Sequence, residues 1–429
     1  MPSVIVMGGS VGGLTAALLL RDAGCEVRVF ERSSAALQAR GAGIAALRAT
    51  LRYLTERGGR TEADVCSSTG WIRFLRPDGG IQHEQRHRYL FSSWNTIYRS
   101  LLDLTAPGRY LLGREVTGFG HDRDRVSVTL ADGSAAGADL LVCADGVSSL
   151  ARAALLPEVV PSYSGYVAWR GTLPERELPA ATRTLLGDAI TYQVMPGSHI
   201  LVYPIPGPDG ALAVGDRLVN FVWYVNVAEG GALDELMTGR DGVRRAVSLP
   251  PGAATDEALA AMRQSARARL APPIAEAVTG VTDPFVQAVY DIGVPRMAFG
   301  RACLIGDAAF AVRPHAAAGT AKACADGWAL AEALTAAAGD VPAALADWER
   351  RQLALGRSLL ARCRDIGDSS QFHGTFRPGE RRLIFGLYRP GDLPRGTAQP
   401  EARGEPLPVL NIKNIDSERH WYHGRSPIG

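Results

Sequence analysis

The sequence Ser3-Val4-Ile5-Val6-Met7-Gly8-Gly9-Ser10-Val11-Gly12-Gly13 decides the fold class of this chain. Residues 3–7 form an apolar run that predicts a short buried strand, and the apolar residues after the turn predict a helix to about Ala23. A second strand is predicted at 26–30. A strand, a glycine-rich turn, a helix and a strand in this order open a doubly wound nucleotide-binding fold. The N–H groups at the start of such a helix bind a pyrophosphate.

The individual positions of the turn fit this role. Gly8 permits a tight turn, and Gly13 lets the helix pack close to the strand. Ser10 replaces the usual second glycine and is small enough to let a phosphate approach. Glu31 ends the second strand, where a carboxylate binds ribose hydroxyls. Glycine-rich turns also cap helices without any ligand, but the added carboxylate favours a nucleotide site. The predicted contacts are Gly8, Gly9, Ser10, Val11, Gly13 and Glu31.

Two later segments place an aspartate at the end of an apolar strand. Ala138 to Gly146 contains Asp145, and Gly300 to Ala309 contains Asp307. A carboxylate beside a glycine turn suits a hydroxyl-rich ligand such as a ribityl chain. Either aspartate alone could equally cap the turn that follows it. The occurrence of both favours ligand binding.

Composition excludes several classes of partner. The chain has 429 residues, 46% hydrophobic and 21% charged, which is ordinary for a globular protein. A net charge of +2 gives no reason to expect nucleic acid or membrane partners. The six cysteines form no Cys-x-x-Cys pair, so we expect no metal site and a reducing, cytoplasmic setting. We expect no signal peptide or transmembrane span.

The chain is predicted to be an α/β protein with a discontinuous first domain. Between about Gly165 and Ile292, strand-like runs rich in Val, Ile, Tyr and Trp dominate. We therefore predict a Rossmann-like FAD-binding domain at 1–160 and 293–370, with C-terminal helices. A mostly antiparallel-sheet substrate domain is inserted at 161–292. Residues 371–429 are predicted to form an extended arm, which could cap the active site or contact a second copy.

The ordered motifs resemble the FAD-dependent aromatic hydroxylase family, the monooxygenases typified by p-hydroxybenzoate hydroxylase. The matching pieces are the Gly8–Gly13 turn, Glu31-Arg32, Arg99 in a predicted helix, Ala144-Asp145-Gly146 and Gly306-Asp307-Ala308. The Gly-Gly-Ser turn, residues 165–171 and residues 313–320 are similar to the subgroup that hydroxylates dihydroxypyridines. Ala317 and Phe310 depart from the glycine and histidine that many family members have.

The resemblance implies the residues that bind FAD. Gly8, Ser10 and Gly13 would hold the pyrophosphate, Glu31 the ribose and Arg32 the adenine side. Arg99 would reach the pyrophosphate or ribityl region, and Asp307 the ribityl chain. Asp145 belongs to a motif that the family links to both FAD and the nicotinamide cofactor. The 314–319 loop would face the flavin pyrimidine. The remaining implied FAD contacts are Ile44, Pro314, Ala318, Gly319 and Thr320.

The resemblance also implies a reaction. NADH or NADPH would reduce FAD, and a flavin C4a-hydroperoxide formed with O2 would hydroxylate an electron-rich aromatic or hydroxypyridine-type ring. A halogenase is disfavoured because the Trp-x-Trp-x-Ile-Pro signature is absent. A dehydrogenase and a non-catalytic nucleotide-binding protein remain alternatives. A homodimer is also left open.

The substrate site is expected on the sheet of the inserted domain. His199, Leu201 and Tyr203 share one face of a predicted strand because side chains alternate with period two. His199 is the predicted base, since an ordinary histidine titrates near neutrality, and Tyr203 would orient a ring hydroxyl. His315 is the alternative base. The predicted ring walls are Trp169, Tyr192 and Tyr224. Any of these could instead be a satisfied structural residue.

Overall fold

The computed structural model describes residues 1–37 and 43–392 of the chain. The predicted arm beyond residue 392 lies outside these residues. The strands are β1 (Ser3–Met7), β2 (Glu26–Glu31), β3 (Gly43–Ala45), β4 (Ser67–Leu75), β5 (Ile81–Ser93), β6 (Tyr110–Leu112), β7 (Val116–His121), β8 (Val126–Leu130), β9 (Ala135–Ala138), β10 (Leu140–Cys143), β11 (Ser162–Pro174), β12 (Ala189–Met195), β13 (Ser198–Ile205), β14 (Leu218–Asn226), β15 (Ser248–Leu249), β16 (Phe285–Asp291), β17 (Ala298–Phe299) and β18 (Ala302–Leu304).

The α-helices lie between and after these strands. They are α1 (Val11–Asp22), α2 (Arg48–Glu56), α3 (Glu62–Val65), α4 (Trp94–Leu102), α5 (Leu150–Leu155), α6 (Ala180–Leu186), α7 (Gly231–Leu236), α8 (Asp256–Arg269), α9 (Pro272–Thr279), α10 (Gly319–Ala336) and α11 (Val341–Gln371). Ser93 caps the start of α4, because its hydroxyl accepts the backbone N–H of Thr96. No helix in the described part of the chain is long and apolar enough to cross a membrane.

The first sheet has the strand order β17-β18-β10-β1-β2-β6, and all its pairs are parallel except β17–β18. Met7 lies opposite Cys143, and Cys143 lies opposite Leu304. Because parallel strands end at one edge of the sheet, the turns after β1, β10 and β18 are neighbours. The predicted Rossmann-like fold is therefore confirmed, and three glycine-containing turns meet at one place.

Helices α1 and α10 pack closely beside this sheet. A Cβ atom at Gly327 would lie 3.0 Å from Ala16 Cα, and one at Gly12 would lie 2.8 Å from Ala323 Cβ. Small residues on both helices allow this approach and explain why α10 is rich in alanine. The packing brings the start of α10 near the start of α1, at the same sheet edge as the three turns.

The second sheet has the order β15-β16-β11-β14-β13-β12-β4-β5-β3, and its pairs are antiparallel except β12–β4. The mostly antiparallel substrate sheet is confirmed, but its extent differs from the prediction. Strands β3, β4 and β5 come from the region assigned to the FAD-binding domain and complete the sheet begun at 161–292. Long-range strand pairing of this kind leaves no signal in the local pattern of a sequence.

The two faces of this sheet are buried against different partners. One face, which includes Trp169, Phe221 and Trp223, packs against helices α6 to α9. The opposite face, which includes Tyr166 and Tyr224, is turned toward α11 and the residues that follow it. A third, three-stranded sheet is formed by β7, β8 and β9.

Candidate functional site

The turn after β1 is shaped by glycines that no other residue could replace without displacement. Gly8 has a φ of 101°, and a Cβ atom there would lie 2.4 Å from the Ala144 carbonyl oxygen. A Cβ atom at Gly13 would lie 2.0 Å from the Gly8 carbonyl oxygen. The turn and packing roles predicted for Gly8 and Gly13 are confirmed.

A groove of about 130 Å³ opens at the start of α1. It is bounded by all three turns and by the start of α10. Its lining includes Ser10, Val11, Gly13, Ala144, Gly146, Asp307, Gly319 and Thr320. The N–H groups at the start of α1 and α10 make this groove suitable for the phosphates of a dinucleotide.

The carboxylate of Glu31 ties the end of β2 to the first turn. It accepts the Gly9 N–H at 2.9 Å and the Ser33 N–H at 2.9 Å, and the side chain is buried. Arg32 and Arg99 are exposed, and neither lines the groove or the cavities described below. Their predicted contacts with FAD therefore stay predictions.

Asp145 and Asp307 have different surroundings. Asp145 accepts the Ser149 hydroxyl at 2.6 Å and the Ala151 N–H at 3.1 Å, so it caps the start of α5. The cofactor contact predicted for Asp145 stays a prediction, and its neighbours Ala144 and Gly146 line the groove.

Asp307 faces open space at the junction of the groove and two further cavities. Its side chain is exposed to this space, but the protein that surrounds it reduces its solvation and so raises the pKa of its carboxyl group, while the nearby charges of Lys322 and Arg152 oppose that rise. A carboxylate that faces a groove and accepts no protein hydrogen bond in the described part of the chain is suited to bind ligand hydroxyls.

A cavity of about 300 Å³ lies between the second sheet and the loop before α10. The predicted substrate and cofactor residues meet there. The cavity is lined by Ile44, Tyr192, His199, Tyr203, Tyr224, Asp307, Pro314, His315, Ala318, Gly319 and Thr320. An aromatic cavity that is continuous with the loop predicted to face the flavin is a suitable place for a planar ring.

Trp169 does not line this cavity, and its prediction as a ring wall was wrong. On β11 the side chains alternate, and Trp169 packs in the cluster on the far face with Trp223. Its neighbours Ala168 and Arg170 face the cavity side instead. The alternation was available in the sequence, but it does not say which of the two faces is functional.

The loop 314–318 contains a left-handed residue where the family often has glycine. Ala317 has a φ of 53°. This conformation costs a non-glycine residue on the order of 1 kcal/mol and explains why glycine suits the position. Ala317, which stands where many family members have glycine, adopts the left-handed conformation, and the chain continues from it into α10.

His199 is held at one ring nitrogen only. Its Nδ1 lies 2.5 Å from the Ser370 hydroxyl, and the Gln371 amide lies 3.1 Å from the same atom. Its Nε2 forms no hydrogen bond in the described part of the chain. Burial lowers the pKa of His199 to about 3, so the prediction of a histidine titrating near neutrality was wrong.

His315 is held through its other nitrogen. Its Nε2 lies 2.7 Å from the Tyr166 hydroxyl, and its Nδ1 is buried without a partner in the described part of the chain. Burial lowers the pKa of His315 well below its ordinary value. A Cβ atom at Gly367 would lie 2.7 Å from the Tyr166 hydroxyl, so this glycine makes room for the pair.

The hydroxyl of Tyr203 donates to the Gly43 carbonyl oxygen at 2.9 Å. Burial raises the pKa of Tyr203 to about 12, partly offset by the Arg170 charge. Arg170 also donates to the Gly43 carbonyl oxygen, at 2.8 Å, and it was not among the predicted site residues. The two side chains therefore converge at one edge of the cavity.

Residues after α11 close the aromatic end of the cavity. Phe376, Leu383 and Phe385 line it, and the Phe376 ring stacks on His199 at 5.2 Å between centroids. The Phe385 N–H donates to the Tyr89 hydroxyl at 3.0 Å. These residues were missed because contacts between a C-terminal segment and a distant sheet leave no periodic signal in the sequence.

Known proteins were compared with this chain. Residues 1–184 match a family model described as FAD binding domain, and residues 163–291 match one described as FAD binding domain-like. The 2,6-dihydroxypyridine 3-monooxygenase of Paenarthrobacter nicotinovorans is 39% identical over 90% of this chain and 95% of its own length. The aurachin C monooxygenase/isomerase of Stigmatella aurantiaca is 29% identical over 87% of this chain and 91% of its own.

A solved structure is similar over nearly the same range. The structure of 2,6-dihydroxypyridine-3-hydroxylase from Arthrobacter nicotinovorans has a TM-score of 0.86 and 36% identity, and the match covers 92% of this chain and 98% of that one. The similarity therefore extends over nearly the whole of both chains.

Proposed function

This chain belongs to the FAD-dependent aromatic hydroxylase family and is an FAD-dependent monooxygenase, and on that premise we propose that it hydroxylates a hydroxypyridine-type ring such as 2,6-dihydroxypyridine. The observation that carries the proposal is the aromatic cavity of about 300 Å³ next to Asp307 and the loop 314–318. A small planar ring fits this space, and its neighbours offer both stacking surfaces and polar groups.

The residues of the groove fit FAD. The Gly8 and Gly13 positions have no room for a Cβ atom, and the starts of two helices point N–H groups into the groove. Ser10 and Val11 would contact the pyrophosphate, Asp307 the ribityl chain, and Ala318 to Thr320 the flavin pyrimidine. FAD, when bound and reduced by NADH or NADPH, supplies the electrons that activate O2.

The cavity walls would hold the substrate ring. Tyr192 on β12 and Tyr224 on β14 line the cavity from one face of the second sheet, with β13 between them, and Phe376 closes the space from the C-terminal side. Their apolar surfaces exclude water, which a monooxygenase requires because water promotes the release of peroxide without hydroxylation. The segment from Phe376 to Phe385 therefore acts as a cap in this proposal.

His199 is the base that the geometry supports better. Ser370 and Gln371 both contact Nδ1, so Nε2 is the ring nitrogen left for a ring hydroxyl of the substrate. The imidazole is neutral at any pH well above 3, and this low pKa makes it a weak proton acceptor in the empty cavity. His315 is less suitable, because Tyr166 binds its Nε2 and its Nδ1 is inaccessible.

Three further properties belong to the proposal. The proposal includes NADH or NADPH as the reductant, and the choice between them is left to the assay below. The six cysteines are free and buried, which supports a reducing, cytoplasmic location. Self-association into a homodimer stays a prediction, which light scattering after size-exclusion chromatography would test.

The test is substrate-stimulated oxidation of NADH and NADPH by the FAD-loaded enzyme. We expect 2,6-dihydroxypyridine to accelerate oxidation, with one hydroxylated product formed for each nicotinamide consumed. Hydroxybenzoates serve as the comparison ring class. If no hydroxypyridine changes the rate, or if only peroxide accumulates, the proposed substrate class is wrong.

A further inference from the structure

Two adjoining cavities surround Arg170. The cavity of about 300 Å³ and a second one of about 170 Å³ share Arg170, Tyr224, Gln287 and Asp307 in their linings. Among the described residues, Arg170 is the one permanently cationic side chain that lines either cavity, and Asp307 is the one carboxylate. Both histidines of the larger cavity are neutral, because burial lowers their pKa values.

The guanidinium of Arg170 has no counter-ion in the described part of the chain. Its Nη1 donates to the Gln287 amide oxygen at 2.9 Å, and its Nη2 donates to the Gly43 carbonyl oxygen at 2.8 Å. Both acceptors are uncharged. Its Nε is buried and has no hydrogen-bond partner. A guanidinium carries five N–H groups, and the bonds to Gln287 and Gly43 use two of them, so the buried Nε–H stays unsatisfied.

An unpaired cation of this kind selects for an anion. A partly buried charge without a counter-ion is unfavourable, and an anionic ligand that reaches it would relieve both the charge and the missing hydrogen bonds. The location is suitable, because Tyr203 meets Arg170 at the Gly43 carbonyl oxygen, at the edge of the ring cavity. Asp307 lines the same cavities but forms no ion pair with Arg170, and it also lines the groove at the start of α1.

We propose that Arg170 binds an anionic oxygen of the substrate, so that the ring enters as its anion. The inference rests on the proposed function, which supplies the ring, and adds the charge state in which the ring is recognised. A hydroxypyridine carries this oxygen as a deprotonated ring hydroxyl, whereas a hydroxybenzoate carries it as a carboxylate. The second hydroxyl of a dihydroxypyridine is then left for His199.

The consequence for the reaction is electronic. A deprotonated hydroxyl raises the electron density of the ring, and oxygen transfer is an attack on an electron-rich carbon. Arg170 therefore acts before the oxygen-transfer step, by selecting the reactive ionisation state of the substrate. Neutral rings of the same size would gain only the stacking contacts.

The experiment is a ligand titration of the FAD-loaded enzyme without nicotinamide, in which the change in flavin absorption measures binding. The probes are 2,6-dihydroxypyridine, 2,6-difluoropyridine as a neutral ring of similar size, and 4-hydroxybenzoate. The variants are Arg170→Gln, Arg170→Lys and, as a matched loss of one surface charge, Arg267→Gln on the exposed side of α8.

We expect Arg170→Gln to weaken binding of the anionic probe about 10- to 100-fold, the range for a charge-assisted hydrogen bond, and to change difluoropyridine binding about twofold or less. Arg170→Lys should lie between, and Arg267→Gln should match the wild type. Equal losses for both probes, or none, would overturn the inference. So would loss of FAD from Arg170→Gln with an unchanged ratio of probe affinities, since Arg170 would then serve the cofactor.

A measurement on the wild type keeps the test decisive if Arg170→Gln does not fold. The ultraviolet spectrum of bound 2,6-dihydroxypyridine should be that of the anion even one pH unit below the pKa of the free ligand. A neutral spectrum would overturn the inference. Binding of 4-hydroxybenzoate but of no hydroxypyridine would support Arg170 as the anion site and reject the proposed ring. Binding of neither anion would reject both.

Discussion

Burial of His199 predicts a specific dependence of stability on pH. Burial lowers the pKa of His199 from 6.5 to about 3 in the folded protein. Between pH 7 and pH 5 the unfolded chain therefore gains a proton at this residue, and the folded chain does not. Because the unfolded state binds more protons, stability falls as the pH is lowered through this window.

The magnitude follows from the two pKa values. From pH 7 to pH 5, His199 alone should remove about 2 kcal/mol from the free energy of unfolding. The assay is urea unfolding followed by tryptophan fluorescence, for the wild type and His199→Gln at both pH values. His315 and the other groups are common to both proteins, so the difference between the two pH effects isolates His199.

The wild type should lose about 2 kcal/mol more than His199→Gln over this interval. The same burial predicts that His199 does not titrate near pH 6.5 in the folded enzyme. The pH profile of the hydroxylation rate should therefore have the same shape near pH 6.5 in the wild type and in His199→Gln. If both proteins lose stability in parallel, His199 titrates normally in the folded state. The account of its environment, and of its neutral form in the cavity, would then be wrong.

Other predictions follow from the groove and the cap. Gly13→Ala should purify without FAD, because its Cβ would lie 2.0 Å from the Gly8 carbonyl oxygen. The control Gly118→Ala, whose Cβ would meet nothing within 4 Å, should retain FAD. Flavin absorbance measures FAD in both variants, and retention by Gly13→Ala would count against the role of this turn in binding FAD. Asp307→Asn should weaken FAD binding at least about tenfold in a flavin titration, since it removes a charge-assisted hydrogen bond; unchanged affinity would remove Asp307 from the ribityl site. Phe376→Ala should release more peroxide per NADH oxidised because water enters the cavity; wild-type coupling would show that the cap has another role.

The cofactor half of the site was readable from the sequence for a physical reason. The turn at Gly8 and Gly13 has little steric freedom, and parallel strands must end at one edge of a sheet. Together these constraints placed the turn and Asp307 around one groove. The same local evidence could not separate Asp145 from Asp307, because capping a helix and binding a ligand use the same residue type at the same place.

The substrate half was only partly readable. Period-two alternation correctly grouped His199 with Tyr203, but the predicted ring walls included Trp169, whereas its neighbour Arg170 lines the cavity. Choosing between two buried faces of a strand requires knowing what packs on each face. Helices α8 and α9, which are distant in the sequence, pack on the face that holds Trp169. The cap around Phe376 depends on contacts of still longer range. The shifted pKa of His199 reflects burial, which the sequence alone does not give.

Incorporation of labelled oxygen would show whether the enzyme transfers oxygen from O2 to the ring. The FAD-loaded enzyme is supplied with NADH or NADPH, 2,6-dihydroxypyridine and ¹⁸O2, and the product is analysed by mass spectrometry. The account predicts a ring product that carries one ¹⁸O atom from the gas. A hydroxylated product without the label would contradict the proposed oxygen transfer. So would oxidation of the nicotinamide that leaves the ring unchanged and forms only labelled peroxide.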